Sequence, residues 1–189
     1  MADRISAVDT LFASGHAPAG NDAFALAQVK PASLVLVQCW PGSAAQAAKS
    51  LAEIAGVKPG APGHAAGGKA TTVMTLTAGR WLVQSSKAGL YDALVAKLPA
   101  KHATATDLGH ARTVLSVEGR AAARVLNTGM PVDLDPTAFP PGRVAQSLFH
   151  HIDVTVRCVA ADRYEVMCMR SFGHALFEAL CDAGEPYGS

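Results

Sequence analysis

The order of predicted secondary structure repeats along the chain, and this repeat constrains the fold more than any other feature. Each half reads strand, helix, strand, strand, helix from its apolar periodicity and its glycine and proline punctuation. In the first half these elements fall at residues 34–37, 43–56, 73–76, 81–83 and 90–98. In the second half they fall at residues 114–117, 119–129, 152–158, 164–168 and 171–184. Ser43 and Ser171 are the expected N-cap residues of two of the helices.

The two halves also match locally in sequence. Residues 80–83 match residues 163–166, and residues 93–98 match residues 175–180. Each half gains one more predicted strand, at residues 103–108 and 144–149. This pattern predicts an α+β fold with two ferredoxin-like (split βαβ) repeats, in which antiparallel or mixed sheets carry helices on one face. Coincidence between Ala/Leu-rich helices is the alternative to duplication.

The expected domain organisation follows from the repeat. Residues 1–32 have weak periodicity and predict an extended N-terminal arm over a neighbouring surface, its own or a partner's. Residues 33–100 form the first repeat and residues 101–189 the second, within one compact domain overall.

Composition excludes several classes of function. Of the 189 residues, 50% are hydrophobic and 16% are charged, with a net charge of +1, which is typical of a globular chain without a nucleic-acid-binding basic surface. No apolar run is long enough to cross a membrane, and the N-terminus lacks an export pattern, so we expect a cytoplasmic protein. The cysteines are widely spaced and predict reduced thiols, at Cys39, Cys158, Cys168 and Cys181.

The sequence contains no complete catalytic or phosphate-binding motif. Gly63, Gly68 and Lys69 have P-loop spacing, but Ala70 replaces the required hydroxyl residue and the segment follows a helix instead of a strand. The chain has no nucleophile elbow and no metal-type spacing. We therefore predict no catalytic, cofactor-binding or metal residue. Asp133 and Asp135 fit a turn in which their side chains bond the local backbone.

The remaining candidates are interface residues. His150 and His151, predicted on a strand and therefore on opposite faces, are a polar surface pair or partners for a ligand or partner carboxylate. Phe149 beside them is either core or a stacking group. Arg112 and Arg170 suit bidentate contact with a carboxylate, in a structural or interface ion pair or with a substrate. Arg143 follows the proline-rich turn at residues 131–142, which is the predicted docking face.

Alternation at residues 152–158 predicts a half-buried strand. Ile152, Val154 and Val156 are expected on the buried face, and Asp153 and Arg157 on the wet face. The last helix is expected to bury Phe172, Leu176, Phe177 and Leu180.

The second half resembles a known family. The segments that resemble the folate-binding fold of the glycine-cleavage T-protein are residues 107–108, 113–119, 122–123, 126 and 133–134. The segments that are more specifically similar to the gamma subunit of heterotetrameric sarcosine oxidase are residues 139–142 (FPPG), 152–157 (IDVTVR), 164–166 (YEV) and 169–172 (MRSF). The resemblance covers residues 100–183 well and the first half loosely.

The resemblance implies a non-catalytic subunit that stabilises the large alpha flavoprotein subunit, with beta and delta subunits, in a heterotetramer that oxidatively demethylates sarcosine. It implies that FAD, FMN, NAD, tetrahydrofolate and zinc belong to the partner subunits and that this chain binds none of them. The Asn-rich stretch of folate-binding relatives and the Lys-Gly-Cys-Tyr-x-Gly signature are both missing here. The alternatives are a stand-alone folate-binding one-carbon transferase and the equivalent subunit of another N-methyl amino acid oxidase or dehydrogenase.

Overall fold

The computed structural model describes residues 6–14, 20–68 and 70–187. The chain divides into two compact units, one formed by Pro31–Gly109 and the other by Met1–Lys30 together with His110–Ser189. We call them the contiguous unit and the discontinuous unit. These bounds differ from the expected ones, which ended the first repeat at residue 100 and placed both repeats in one domain.

The contiguous unit is a five-stranded sheet with two helices on one face. Its elements are β2 (Ser33–Cys39), α2 (Ala44–Ala55), β3 (His64–Gly67), β4 (Thr71–Thr77), β5 (Arg80–Ser85), α3 (Leu90–Lys97) and β6 (Ala103–Asp107). The strand order is β3-β4-β5-β2-β6, and every pair is antiparallel. Gly56 in the left-handed region ends α2 as predicted, whereas the Ser43 side chain forms no capping hydrogen bond.

The core of the contiguous unit lies between the helices and one face of the sheet. Leu51 and Leu94 of the helices cluster with Val35, Trp81 and Val83 of the central strands. The residue alternation along each strand places these side chains on the same face. The strand β6 pairs with β2 from Val35–Asp107 to Cys39–Ala103 and therefore belongs to this unit, as expected of the additional strand of the first half. The expected boundary at residue 100 was therefore too early.

The discontinuous unit has the same architecture. Its elements are α1 (Asp9–Ala13), β1 (Ala25–Gln28), β7 (Arg112–Glu118), α4 (Ala122–Asn127), β8 (Val144–Phe149), β9 (Ile152–Ala160), β10 (Arg163–Met169), a 3-10 turn (Arg170–Phe172), α5 (Gly173–Gly184) and a second 3-10 turn (Glu185–Tyr187). The strand order β1-β7-β10-β9-β8 matches β6-β2-β5-β4-β3 element for element. The prediction of two ferredoxin-like repeats with helices on one face is confirmed.

The expected N-terminal arm is instead part of this fold. Strand β1 pairs with β7 from Ala25–Glu118 to Gln28–Leu115, and Phe24 and Leu26 are buried in the core with Val8. The sequence did not indicate strand β1, because a four-residue strand without β-branched residues carries almost no signal of its own. Residues 1–5 and 15–19 lie outside the described residues.

Candidate interface surface

One end of the sheet in the discontinuous unit brings two of the candidate arginines together. Arg112 opens β7 directly opposite Met169, the last residue of β10. Arg170 follows Met169, and its backbone N–H donates to the carbonyl of Ala111 at 2.9 Å. The same carbonyl accepts from Nη1 of Arg112 at 3.2 Å. The register thus places the half-buried Arg112 beside the exposed Arg170.

The two histidines lie in the turn of the β8–β9 hairpin. Phe149 pairs with Ile152, so His150 and His151 form the two-residue loop between the strands. The prediction that they lie on a strand was wrong. His150 has φ 52°, and its N–H donates to the carbonyl of Gly129 at 2.7 Å. Both histidines are exposed. Phe149 is fully buried in the core and contacts the His150 ring edge-to-face, with 4.8 Å between ring centroids.

The pairing register decides which candidates share an end of the sheet. The turn at His150 and His151 lies at the end where β10 finishes and β7 begins, so it shares that end with Arg112 and Arg170. Arg143 precedes β8 at the opposite end, where its carbonyl accepts from the N–H of Cys158 at 3.0 Å. The structure therefore groups five of the six candidates and separates Arg143.

Exposed apolar side chains also lie at the end of the sheet that carries Arg112 and Arg170. Met169 is 50% exposed, Phe172 43% and Leu148 40%. Phe172 was expected in the core of the last helix. It lies instead in the 3-10 turn before α5, where the helical spacing does not apply, and it takes the N-cap position expected of Ser171. We call Arg112, Leu148, Asp153, Met169, Arg170 and Phe172 the corner surface.

A buried ion pair occupies the middle of this sheet. Nη2 of Arg157 lies 2.8 Å from Oε2 of Glu165 on the neighbouring strand, and both side chains are at most a tenth exposed. Arg157 was expected on a wet face. Since Tyr164 and Val166 belong to the core that α5 covers, alternation puts Glu165 on the face away from that helix.

A cleft of about 400 Å³ lies at the other end of the sheet, and three of its charged side chains have partners within the chain. Oδ1 of Asp133 accepts from the N–H of Asp135, whose own carboxylate accepts from Thr137, as the turn pattern predicted. These bonds hold the pKa of Asp135 below its usual value. The Arg124 guanidinium lies over the Tyr187 ring, 5.4 Å from its centroid.

Three of the four thiols are poor nucleophiles. All four cysteines are free, as predicted. Burial raises the pKa of Cys158, and it raises the pKa of Cys168 to about 11 although Arg112 acts in the opposite direction. Burial, helped by Asp182 and Glu178, raises the pKa of Cys181 to about 11. A raised pKa leaves little nucleophilic thiolate near neutral pH.

The described residues contain neither a metal-binding cluster nor a helix able to cross a membrane. Among residues 6–14, 20–68 and 70–187, no three His, Cys, Asp or Glu side chains are grouped so as to hold a metal ion. None of the helices in these ranges is both long and apolar enough to span a bilayer.

The fold has a solved counterpart in an aminomethyltransferase. The structure of glycine cleavage system aminomethyltransferase T from Bartonella henselae matches 92% of this chain and 48% of that chain, with a TM-score of 0.62 and 16% identity. At this identity the likeness concerns the fold alone. The fold class is thus the duplicated α+β fold that the T-protein also contains.

Sequence similarity goes further. The model of the sarcosine oxidase gamma subunit family matches residues 62–185. The gamma subunit of sarcosine oxidase from Arthrobacter sp. is 31% identical over 169 residues, covering 88% of this chain and 83% of the relative. The gamma subunit from Corynebacterium sp. (strain U-96) is 30% identical over 167 residues, covering 87% and 81%. The chain belongs to the sarcosine oxidase gamma subunit family.

A solved assembly extends this relationship to nearly every residue. The structure of heterotetrameric sarcosine oxidase from Corynebacterium sp. U-96, in complex with pyrrole 2-carboxylate, contains a chain that matches 98% of this one. The match covers 97% of that chain, with a TM-score of 0.87 and 28% identity.

Proposed function

We propose that this chain is a non-catalytic subunit of a heterotetrameric sarcosine oxidase, in which it stabilises the large alpha subunit. The observation that carries the proposal is the match to a chain of the solved heterotetramer over 98% of this chain and 97% of that one. Because the match spans nearly all of both chains, both units of the fold support the assignment and not only the segment with the strongest sequence similarity.

The described side chains support a packing role. Asp133 and Asp135 of the cleft accept hydrogen bonds from the local backbone, and burial raises the pKa of Cys168 and of Cys181. The Arg157 guanidinium is engaged by Glu165. Groups poised for acid–base or nucleophilic work are instead expected to converge on a common substrate position. The exposed corner surface suits recognition of another protein.

The cofactor assignments follow from the proposal. FAD, FMN, NAD, tetrahydrofolate and zinc would reside in the alpha, beta and delta partners, and this chain would hold none of them. Four free thiols in one chain favour a reducing compartment, and we propose a cytoplasmic location on that basis.

Co-expression tests the proposal. The chain, tagged for purification, is produced with the alpha, beta and delta subunits from the same genome, and the products are separated by size-exclusion chromatography. We expect a complex with one copy of each subunit, flavin absorbance only in fractions that contain the larger subunits, and sarcosine-dependent oxygen consumption. Elution of this chain apart from the other three would disprove the proposal.

The same material separates the alternatives. A stand-alone folate-binding protein would show a thermal shift with tetrahydrofolate, since a ligand at a hundred times its Kd stabilises by about 2.7 kcal/mol. We expect no shift for the isolated chain. A subunit of another N-methyl amino acid oxidase would assemble equally well but would consume dimethylglycine or N-methylglutamate faster than sarcosine.

A further inference from the structure

We propose that the corner surface is the docking site for another subunit of the complex, through a partner surface that has an apolar pocket flanked by carboxylates. The inference rests on the proposed function and names the surface that carries it out. It differs from the prediction made from sequence, which placed the docking face at the proline-rich turn of residues 131–142.

The first argument is composition. Among the described residues, five large apolar side chains are exposed, and three of them, Leu148, Met169 and Phe172, lie at this one end of a single sheet. Aromatic residues, methionine and arginine are enriched in the centres of protein interfaces, and exposed apolar groups gathered at one place mark interaction sites. Here a phenylalanine, a methionine and two arginines occupy neighbouring positions.

The second argument is charge. Ion pairs among the described residues join Lys30 with Asp9, Arg157 with Glu165, Arg163 with Glu118 and His174 with Glu178. Neither Arg112 nor Arg170 takes part in them. Arg112 is half-buried and anchored at Ala111, so its guanidinium is already partly ordered. Two guanidinium groups, each able to bind a carboxylate through two hydrogen bonds, lie beside the exposed apolar side chains. They favour a partner with carboxylates at matching positions.

The third argument is rigidity. Arg112 on β7 pairs with Met169 on β10, and Asp153 on β9 pairs with Leu148 on β8. The two pairs form one row across the four strands, because Met169 and Asp153 each lie one residue beyond the Cys168–Val154 pair. At 4.7–4.9 Å per strand the row is about 14 Å long. A surface built on paired strands loses little conformational entropy on binding, which favours affinity.

Close packing also fixes the 3-10 turn that carries Arg170 and Phe172. A Cβ atom added at Gly173, the next residue, would lie 2.5 Å from Oγ1 of Thr113 on β7. Only glycine permits this approach of α5 to the sheet, and the turn is thereby held against the sheet end.

Two variants and a matched control test the inference. The first variant is Arg112→Glu/Arg170→Glu, and the second is Met169→Ala/Phe172→Ala. The control is Arg120→Glu/Arg163→Glu, which makes the same change of net charge near the opposite ends of the same two strands. Each purified chain is titrated by biolayer interferometry onto the complex of the other three subunits, prepared without this chain.

We expect the arginine variant to weaken binding by at least about 100-fold, the apolar variant by at least about 30-fold and the control by less than about 3-fold. Circular dichroism and thermal melting of each free chain verify folding. This inference alone would be overturned if both variants bound as tightly as the wild type, or if the control weakened binding as much as the two variants did. Absence of wild-type binding would overturn the proposed function as well. A homodimer that the same variants abolish would assign the surface to a second copy and refute the docking role.

Discussion

At the scale of the single residue, Arg157 and Glu165 form an ion pair whose side chains are 10% and 6% exposed. Two charges so deeply buried lose most of their hydration, and their attraction offsets that loss only while both are present. Replacing both by apolar residues of similar volume is often neutral, whereas removing one leaves an expensive buried charge. The pair therefore makes stability sensitive to single substitutions at either position.

Arg157→Met is expected to lower the free energy of unfolding by about 3–5 kcal/mol, because the buried Glu165 carboxylate loses this guanidinium. The double variant Arg157→Met/Glu165→Leu should recover most of the loss. Urea unfolding, followed by circular dichroism, measures both through the transition midpoint at constant slope.

The matched control for this pair is Arg163→Met. Its partner Glu118 is 3.8 Å away, both side chains are almost half exposed, and such pairs contribute about 1 kcal/mol or less. Equal losses for Arg157→Met and Arg163→Met would show that burial does not govern the strength of these interactions here.

At the scale of the element, the contact between Phe24 and the end of α5 holds the N-terminal segment in place. Phe24 is fully buried and its ring lies against Gly184, the last residue of the helix. A Cβ atom at Gly184 would lie 2.2 Å from the ring, which is packed in the core and can move only by displacing its neighbours. Helix propensity alone would favour alanine over glycine, so the clash and the propensity oppose each other.

Gly184→Ala is expected to destabilise the chain by about 1–3 kcal/mol, because overpacking outweighs the propensity gain. Phe24→Ala should cost about 3–5 kcal/mol through the cavity it leaves. The double variant should be more stable than the sum of the two losses implies, since alanine at residue 24 removes the clash. Urea unfolding of the four proteins gives this coupling energy.

Gly60→Ala is the control for backbone entropy, because its nearest contact would be an ordinary 3.6 Å. We expect a change within about 0.5 kcal/mol for this variant. Strict additivity of Gly184→Ala and Phe24→Ala would contradict the packing of α5 against the N-terminal segment.

The elements that could be predicted from sequence are those whose signal is local. The strands at β5 and β10 and the helices that follow them have their own periodicity, and the matching segments at residues 80–83 and 163–166 occupy equivalent strands. Strand β3 was missed because His64–Gly67 lies in a Pro/Gly/Ala stretch without alternation.

The sequence identified individual residues of the corner surface but not that they lie together. Arg112 and Arg170 were singled out for their chemistry, but their proximity depends on the register between β7 and β10, which no local pattern records. Arg157 was misplaced for a similar reason, since its partner is on another strand and its alternation resembles that of a solvated face.

On the scale of the whole molecule, the two units differ in chain connectivity and not in architecture. In the contiguous unit the edge strand β6 follows α3 directly. In the discontinuous unit the equivalent strand β1 precedes all the others by more than eighty residues, so the unit has to recruit the start of the chain to complete its sheet. The side-chain amide of Asn21 donates to the carbonyl of Tyr187 at 3.0 Å, which puts the segment leading into β1 beside the end of α5.

A circular permutation that moves residues 1–30 behind residue 189 should therefore fold, because it gives the discontinuous unit the connectivity of the contiguous one. The linker has to return to Ala7, which lies near Gly173 at the start of α5, so it spans about the 18 Å length of this 12-residue helix. A flexible Gly/Ser linker of about 15 residues has a root-mean-square length of about 21 Å and suffices.

For the permuted chain we expect near-native circular dichroism, a melting temperature within about 8 °C of the wild type and retained binding to the other subunits. Deletion of residues 1–30 without the graft, in contrast, should expose the β7 edge and the core around Phe24, and the discontinuous unit should unfold. A deletion variant as stable as the permuted chain would show that β1 contributes nothing to this fold.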